Sequence, residues 1–133
     1  DYTSIDLETL LKTSDIISIH CPLNEQTKGL IHEKSFKLMK ENAILINVGR
    51  GGIVDEKALV EALQNNEIAG AGLDVFESEP LAKESPLFQI NDASKLLMTP
   101  HIAWATVEAR NRLFDLVIEN IQGFLMGNLK NVC

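Results

Sequence analysis

The chain has 133 residues, 12 basic and 19 acidic, for a net charge of −7, a sign that opposes the phosphate contacts of nucleic-acid binding and docking on anionic membranes. A content of 45% hydrophobic and 23% charged residues fits a single soluble globular domain with a real core. Cys21 and Cys133 belong to no metal-ligating cluster, the polar residues 1–8 do not read as a signal peptide, and no apolar run nears the ~18 residues of a membrane span.

Residues 3–14 read as a short helix, with Thr3-x-x-Asp6 at its start and Leu7, Leu10 and Leu11 on one face. Residues 15–20 (DIISIH) form a β-branched run of strand length, followed by a turn-rich loop through Pro22, Asn24 and Gly29. Residues 33–39 predict one to two turns of helix, and residues 43–48 (AILINV) a second strand. After the loop Gly49-Arg50-Gly51-Gly52, Asp55 caps a helix running to about Asn65, with Ala58, Leu59, Ala62 and Leu63 on its apolar face. Residues 70–75 (GAGLDV) predict a third strand, 77–91 a loop with Pro80 and Pro86, and 95–98 a fourth strand. Residues 106–126 give the longest helix, with Leu113, Val117, Ile121 and Phe124 as its expected inner stripe and Gly127 as its stop.

Strands alternating with helices imply βαβ units and a parallel sheet, and strands apolar on both faces imply helices on both sides. All strands then end at one edge, where open α/β sheets bind ligands. The loops at that edge carry Arg50, Asp74, Glu79 and His101, which are expected to converge on one cleft. A histidine with a carboxylate is a general acid/base unit, and an arginine can hold a substrate carboxylate by two parallel hydrogen bonds. Gly51 and Gly52, lacking a Cβ, would let the backbone approach a ligand. Blander readings stand beside these. Glu77 rivals Glu79 as the histidine's partner, Asp74 reads equally as a strand-end acceptor, and His20 equally as a satisfied core residue. Trp104 reads as a packing anchor. Glu77, Glu79 and Glu84, interrupted by prolines, do not read as metal ligands, and no metal is expected.

The stretches 47–55 (NVGRGGIVD), 70–80 (GAGLDVFESEP) and 99–103 (TPHIA) resemble the signatures of the D-isomer-specific 2-hydroxyacid dehydrogenases, and 15–30 (DIISIHCPLNEQTKGL) is similar to the segment preceding them. The resemblance runs from Ile5 to about Leu125. It implies an NAD-dependent oxidoreductase moving a hydride between cofactor and a D-2-hydroxy acid/2-keto acid pair, with NADP equally open. By the same resemblance Arg50 binds the substrate's carboxylate and carbonyl, Glu79 orients and charges the histidine, His101 donates the proton, and Asp74 contacts the nicotinamide carboxamide. His20, Cys21, Pro22 and Leu23 would line the adenosine pocket. Thr27, Val48, Gly49, Arg50, His101 and Ala103 would lie along the cofactor.

The family's phosphate-binding G-x-G-x-x-G and its substrate domain have no counterpart here. Gly70 and Gly72 form a G-x-G with no third glycine at the required spacing. The expected architecture is therefore α/β, the second half of a doubly wound Rossmann-type NAD-binding domain filling residues 1–133. Such a fragment is expected to be inactive alone, and the full-length protein to be a cytoplasmic homodimer. The run TPHIAWAT looks closest to the glycerate dehydrogenase and hydroxypyruvate reductase branch. The alternative is an NAD-sensing, non-catalytic corepressor of the same family.

Overall fold

The computed structural model describes residues 2–132. Cys133 lies outside them. Cys21 carries a free thiol. The chain divides into two compact units, Asp1–His101 and Ile102–Cys133.

The first unit is a four-stranded sheet in the order β1 (Ile16–Ile19), β2 (Ile44–Asn47), β3 (Gly70–Leu73), β4 (Leu96–Met98). Every neighbouring pair is parallel, so all C-terminal strand ends share one edge as expected. Three helices accompany it: α1 (Leu7–Thr13), α2 (Glu33–Phe36) and α3 (Glu56–Gln64). The connection from β3 to β4 holds only 3-10 turns at Pro86–Gln89 and Ala93–Lys95.

Capping explains the helix boundaries. Asp55 accepts from Ala58 N at 3.0 Å and starts α3 as read from the sequence. At α1 the reading is corrected. The N-cap is Asp6, not Thr3, because the Asp6 carboxylate accepts both Thr9 N at 2.9 Å and Thr9 Oγ1 at 2.8 Å. Helix α2 stops at Phe36, short of the expected Met39, and continues as turns.

Leu11, Phe36, Leu59 and Leu63 from the helices are buried with Ile17, Ile19, Leu45 and Leu73 from the strands in one core. Burying each such side chain stabilises the fold by about 1.5–3 kcal/mol. The strands alternate, and Ile16, Ile44 and Leu97 of the second face stay 64%, 41% and 70% exposed. All three helices bury their apolar residues in the core on the first face, and none serves the second.

The second unit contains α4 (Val107–Leu125), capped by Thr106 Oγ1 accepting from Ala109 N, and followed by Gly127 at φ +70°. Its stripe was read as core and is not. Leu113, Val117, Ile121 and Phe124 are 52%, 45%, 55% and 71% exposed. Helical periodicity shows that one face is apolar; it does not show where that face finds its partner. No helix among the described residues is long and apolar enough to cross a membrane.

Candidate active site

The loops after β2, β3 and β4 bring three ionisable side chains together. His101 follows Thr99 and Pro100 at the end of β4, with its N–H bonded to Thr99 O at 3.0 Å. Its φ is +56°, in the left-handed region that few non-glycine residues occupy. From there its Nδ1 meets Glu79 Oε2 at 2.7 Å. A carboxylate can only accept, so Nδ1 is the donor. The other Glu79 oxygen accepts from Phe76 N at 3.1 Å, which fixes the carboxylate within its own loop. The hydrogen bond from His101 leads the causes that hold Glu79 below its ordinary value of 4.5, followed by the Phe76 N–H; the charge of Arg50 adds to the same direction.

The choice between the two glutamates follows from the geometry. Glu79 reaches His101, whereas Glu77 Oε1 accepts from Glu56 N at 3.4 Å, at the start of α3. Arg50 is exposed, and its Nη1 donates to Gly49 O at 2.8 Å. Asp74 is 4% exposed at the end of β3, and its Oδ1 accepts from Thr99 Oγ1 at 2.5 Å.

Two cavities flank these residues. One of about 320 Å³ is lined by Phe76, Glu79, Pro80, Leu81, Pro100 and His101. The other, of about 490 Å³, is lined by His20, Cys21, Pro22, Leu23, Val48, Gly49 and Arg50. Seven residues expected along a cofactor or at its adenosine end thus share one cavity. Thr27 is not among its lining residues. Its Oγ1 donates to Pro22 O at 2.6 Å and accepts from Asn24 N at 2.9 Å, holding the loop that carries Pro22. Ala103 belongs to the second unit and is exposed. Asp74 lines neither cavity. His20 is exposed, with its Nε2 on Ser18 Oγ at 2.8 Å, so the core reading of it fails.

Sequence reasoning missed the residues that shape these loops. Asn47 is fully buried; its Oδ1 accepts from Gly49 N at 3.0 Å and its Nδ2 donates to Arg50 O at 2.9 Å, setting the backbone beneath the arginine. Gly51 is needed for a different reason than expected. A Cβ there would lie 1.9 Å from Phe76 C, so its close neighbour is the Glu79 loop itself rather than a ligand. Gly51→Ala must push the two loops apart. It is expected to cost about 1–3 kcal/mol in chemical denaturation, the usual range for overpacking. An unchanged denaturation midpoint would contradict this contact.

The acid behaviour of the pair has a defined sign. Because Glu79 titrates lower when folded, its contribution to stability is present above its ordinary value of 4.5 and is lost as pH falls through the lower folded value. The stability gap between wild type and Glu79→Gln should therefore narrow as pH drops below about 4.5. A gap that stays constant down to pH 2 would refute the ionised pair.

Helices against parallel strands, with polar loops gathered at the strands' C-terminal edge, put the first unit in the Rossmann class of dinucleotide-binding folds. Within that class the chain belongs to the D-isomer specific 2-hydroxyacid dehydrogenase family, whose NAD binding domain its residues 1–103 match. A glycerate dehydrogenase of Methylorubrum extorquens is 45% identical over 128 residues, 96% of this chain and 40% of that protein. An acyclic imino acid reductase (Bsp5), solved in complex with NADPH and D-arginine, matches with TM-score 0.87 and 40% identity over 97% of this chain and 40% of that one. The NAD-complexed D-isomer specific 2-hydroxyacid dehydrogenase of Lactobacillus delbrueckii ssp. bulgaricus matches with TM-score 0.81 and 33% identity, over 96% and 42%. The chain thus spans about two fifths of the length of these relatives.

Proposed function

We propose that the protein containing this chain is an NAD-dependent D-2-hydroxyacid dehydrogenase that reduces a small 2-keto acid such as hydroxypyruvate. The observation that carries this reading is the His101–Glu79 pair at 2.7 Å, with Arg50 near enough to favour the ionised Glu79. The relatives' names as glycerate dehydrogenase and hydroxypyruvate reductase support the substrate class, and they lend nothing to a corepressor.

The cofactor fits the residues present. Gly49 closes on Cys21 O, where a Cβ would stand at 3.0 Å, so the loops after β1 and β2 meet at a cavity floored by backbone. His20, Cys21, Pro22, Val48 and Gly49 would hold the dinucleotide there, with Thr27 bracing the loop. Asp74, tied to Thr99, would take the carboxamide end. A bound nicotinamide cofactor supplies the hydride.

The chain's own residues do the rest. Arg50 holds the substrate carboxylate through paired N–H donors. With Nδ1 committed to Glu79, His101 delivers a proton from Nε2 to the carbonyl oxygen and takes it back in the oxidative direction. Glu79 keeps the imidazole in that orientation. Phe76, Pro80, Leu81 and Pro100 give the His101 cavity apolar walls. The full-length protein is proposed to act as a cytoplasmic homodimer, which a mass measurement in solution tests.

The deciding experiment is NADH and NADPH oxidation by the full-length protein with a panel of 2-keto acids. Hydroxypyruvate or glyoxylate should be turned over fastest. Cofactor binding with no turnover of any keto acid would overturn the reading and favour the corepressor.

A further inference from the structure

One carboxyl group outside the catalytic pair holds both ends of the loop that carries Glu79. Glu56 opens α3, where an acidic residue ordinarily faces water and answers the helix dipole. Here it is only 5% exposed. Its Oε1 accepts from Glu77 N at 2.8 Å and its Oε2 from Ser85 Oγ at 3.2 Å. Glu77 returns the contact, its Oε1 accepting from Glu56 N. Ser85 is itself buried at 8%, and its Oγ also accepts from Leu87 N at 3.3 Å, the start of the following 3-10 turn.

Residues 77 and 85 bound a loop with no α-helix or strand of its own. Its tip carries Glu79, Pro80 and Leu81, all lining the His101 cavity. Glu79 anchors itself only one turn back, on Phe76 N. The base of the loop is set by Glu56 on one side and by the tight approach of Gly51 to Phe76 on the other. A carboxyl group this buried is costly unless its oxygens are bonded, and both are.

We propose that Glu56 is a positioning residue: by bonding Glu77 N and Ser85 Oγ together it fixes the Glu79 loop, and through it the orientation of His101. This rests on the dehydrogenase reading above for its kinetic consequence, though not for its structural one.

The test uses the full-length protein with three variants and two readouts. Glu56→Ala removes both bonds and should lower kcat by up to ~10²-fold, the effect of a misplacement of about 1 Å, with little change in KM for NADH. Glu56→Gln can still accept from Glu77 N and can donate to Ser85 Oγ, so it should remain within about threefold of wild type, within the spread of a retained hydrogen bond. Glu56→Asp keeps the acid at the helix start but is one methylene too short to reach both partners, and should resemble Glu56→Ala. The second readout is the downfield Nδ1–H proton signal of His101 in NMR, which needs no turnover. It should weaken or move upfield in Glu56→Ala and Glu56→Asp and persist in Glu56→Gln. Wild-type kcat and an unmoved His101 signal in either shortened variant would overturn the proposal. If Glu56→Ala does not fold, Glu56→Asp decides. Should His101→Gln retain turnover, the dehydrogenase mechanism fails, while the proton signal still tests Glu56.

Discussion

His101→Gln is expected to lower kcat for keto-acid reduction by ~10²–10⁴-fold, the usual worth of a positioned general acid. The amide retains a donor for Glu79 but has no ionisable nitrogen for the carbonyl oxygen. The wild-type pH profiles should have opposite signs. Reduction consumes the proton on His101 and falls as alkali removes it; oxidation needs the neutral ring and falls in acid. In the variant both limbs should disappear. Glu79→Gln should lower turnover, because a neutral amide holds the Nδ1–H donor less firmly than a carboxylate does. Glu77→Gln should leave turnover in place, since Glu77 is engaged with Glu56 N and not with the ring. A His101→Gln enzyme with near-normal turnover and an unchanged profile would end the proton-donor assignment.

Arg50→Gln should lower kcat/KM for the keto acid by about 2–5 kcal/mol, roughly 30-fold to several thousandfold, the loss expected when one partner of a desolvated ion pair is truncated. The KM for the keto acid should rise more than that for NADH, because the guanidinium answers the substrate's charge. Arg50→Lys should be nearly as damaging, since an ammonium keeps the charge and loses the planar fork. The main chain should survive either change: Asn47 bonds to the Gly49 N–H and the Arg50 carbonyl, not to the arginine side chain. Retention of wild-type KM in Arg50→Lys would argue against a paired contact to a carboxylate.

Much of this arrangement was legible in the sequence because it rests on local signals. Short apolar runs set the strands, Asp55 announced its helix, and parallel pairing then put Arg50, Glu79 and His101 on one edge. What escaped was long-range. The Glu56–Glu77 bond spans 21 residues, and no spacing rule distinguishes a buried glutamate at a helix start from a solvated one. Asn47 looked like a strand end, yet its side chain is a full hydrogen-bonding partner of the next loop. Gly51 was read for its lack of a Cβ, but the chain that fills the space comes from a segment about 25 residues away. Thr3 lost the α1 cap to Asp6, which directly precedes the helix and whose carboxylate accepts from Thr9 N. The stripe on α4 was read correctly as apolar and wrongly as buried.

The left-handed backbone at His101 sets folding against the proton-donor role proposed for it. An L-residue held there costs the native state of order 1–2 kcal/mol, and glycine would be relieved of that cost. The fold, left to its own preferences, would accept glycine at this turn. A glycine at position 101 would gain thermal robustness and remove the proposed proton donor in the same step. Stabilising this domain by design therefore has to begin elsewhere, because the substitution that the backbone most favours at this turn is the one the proposed chemistry can least accept.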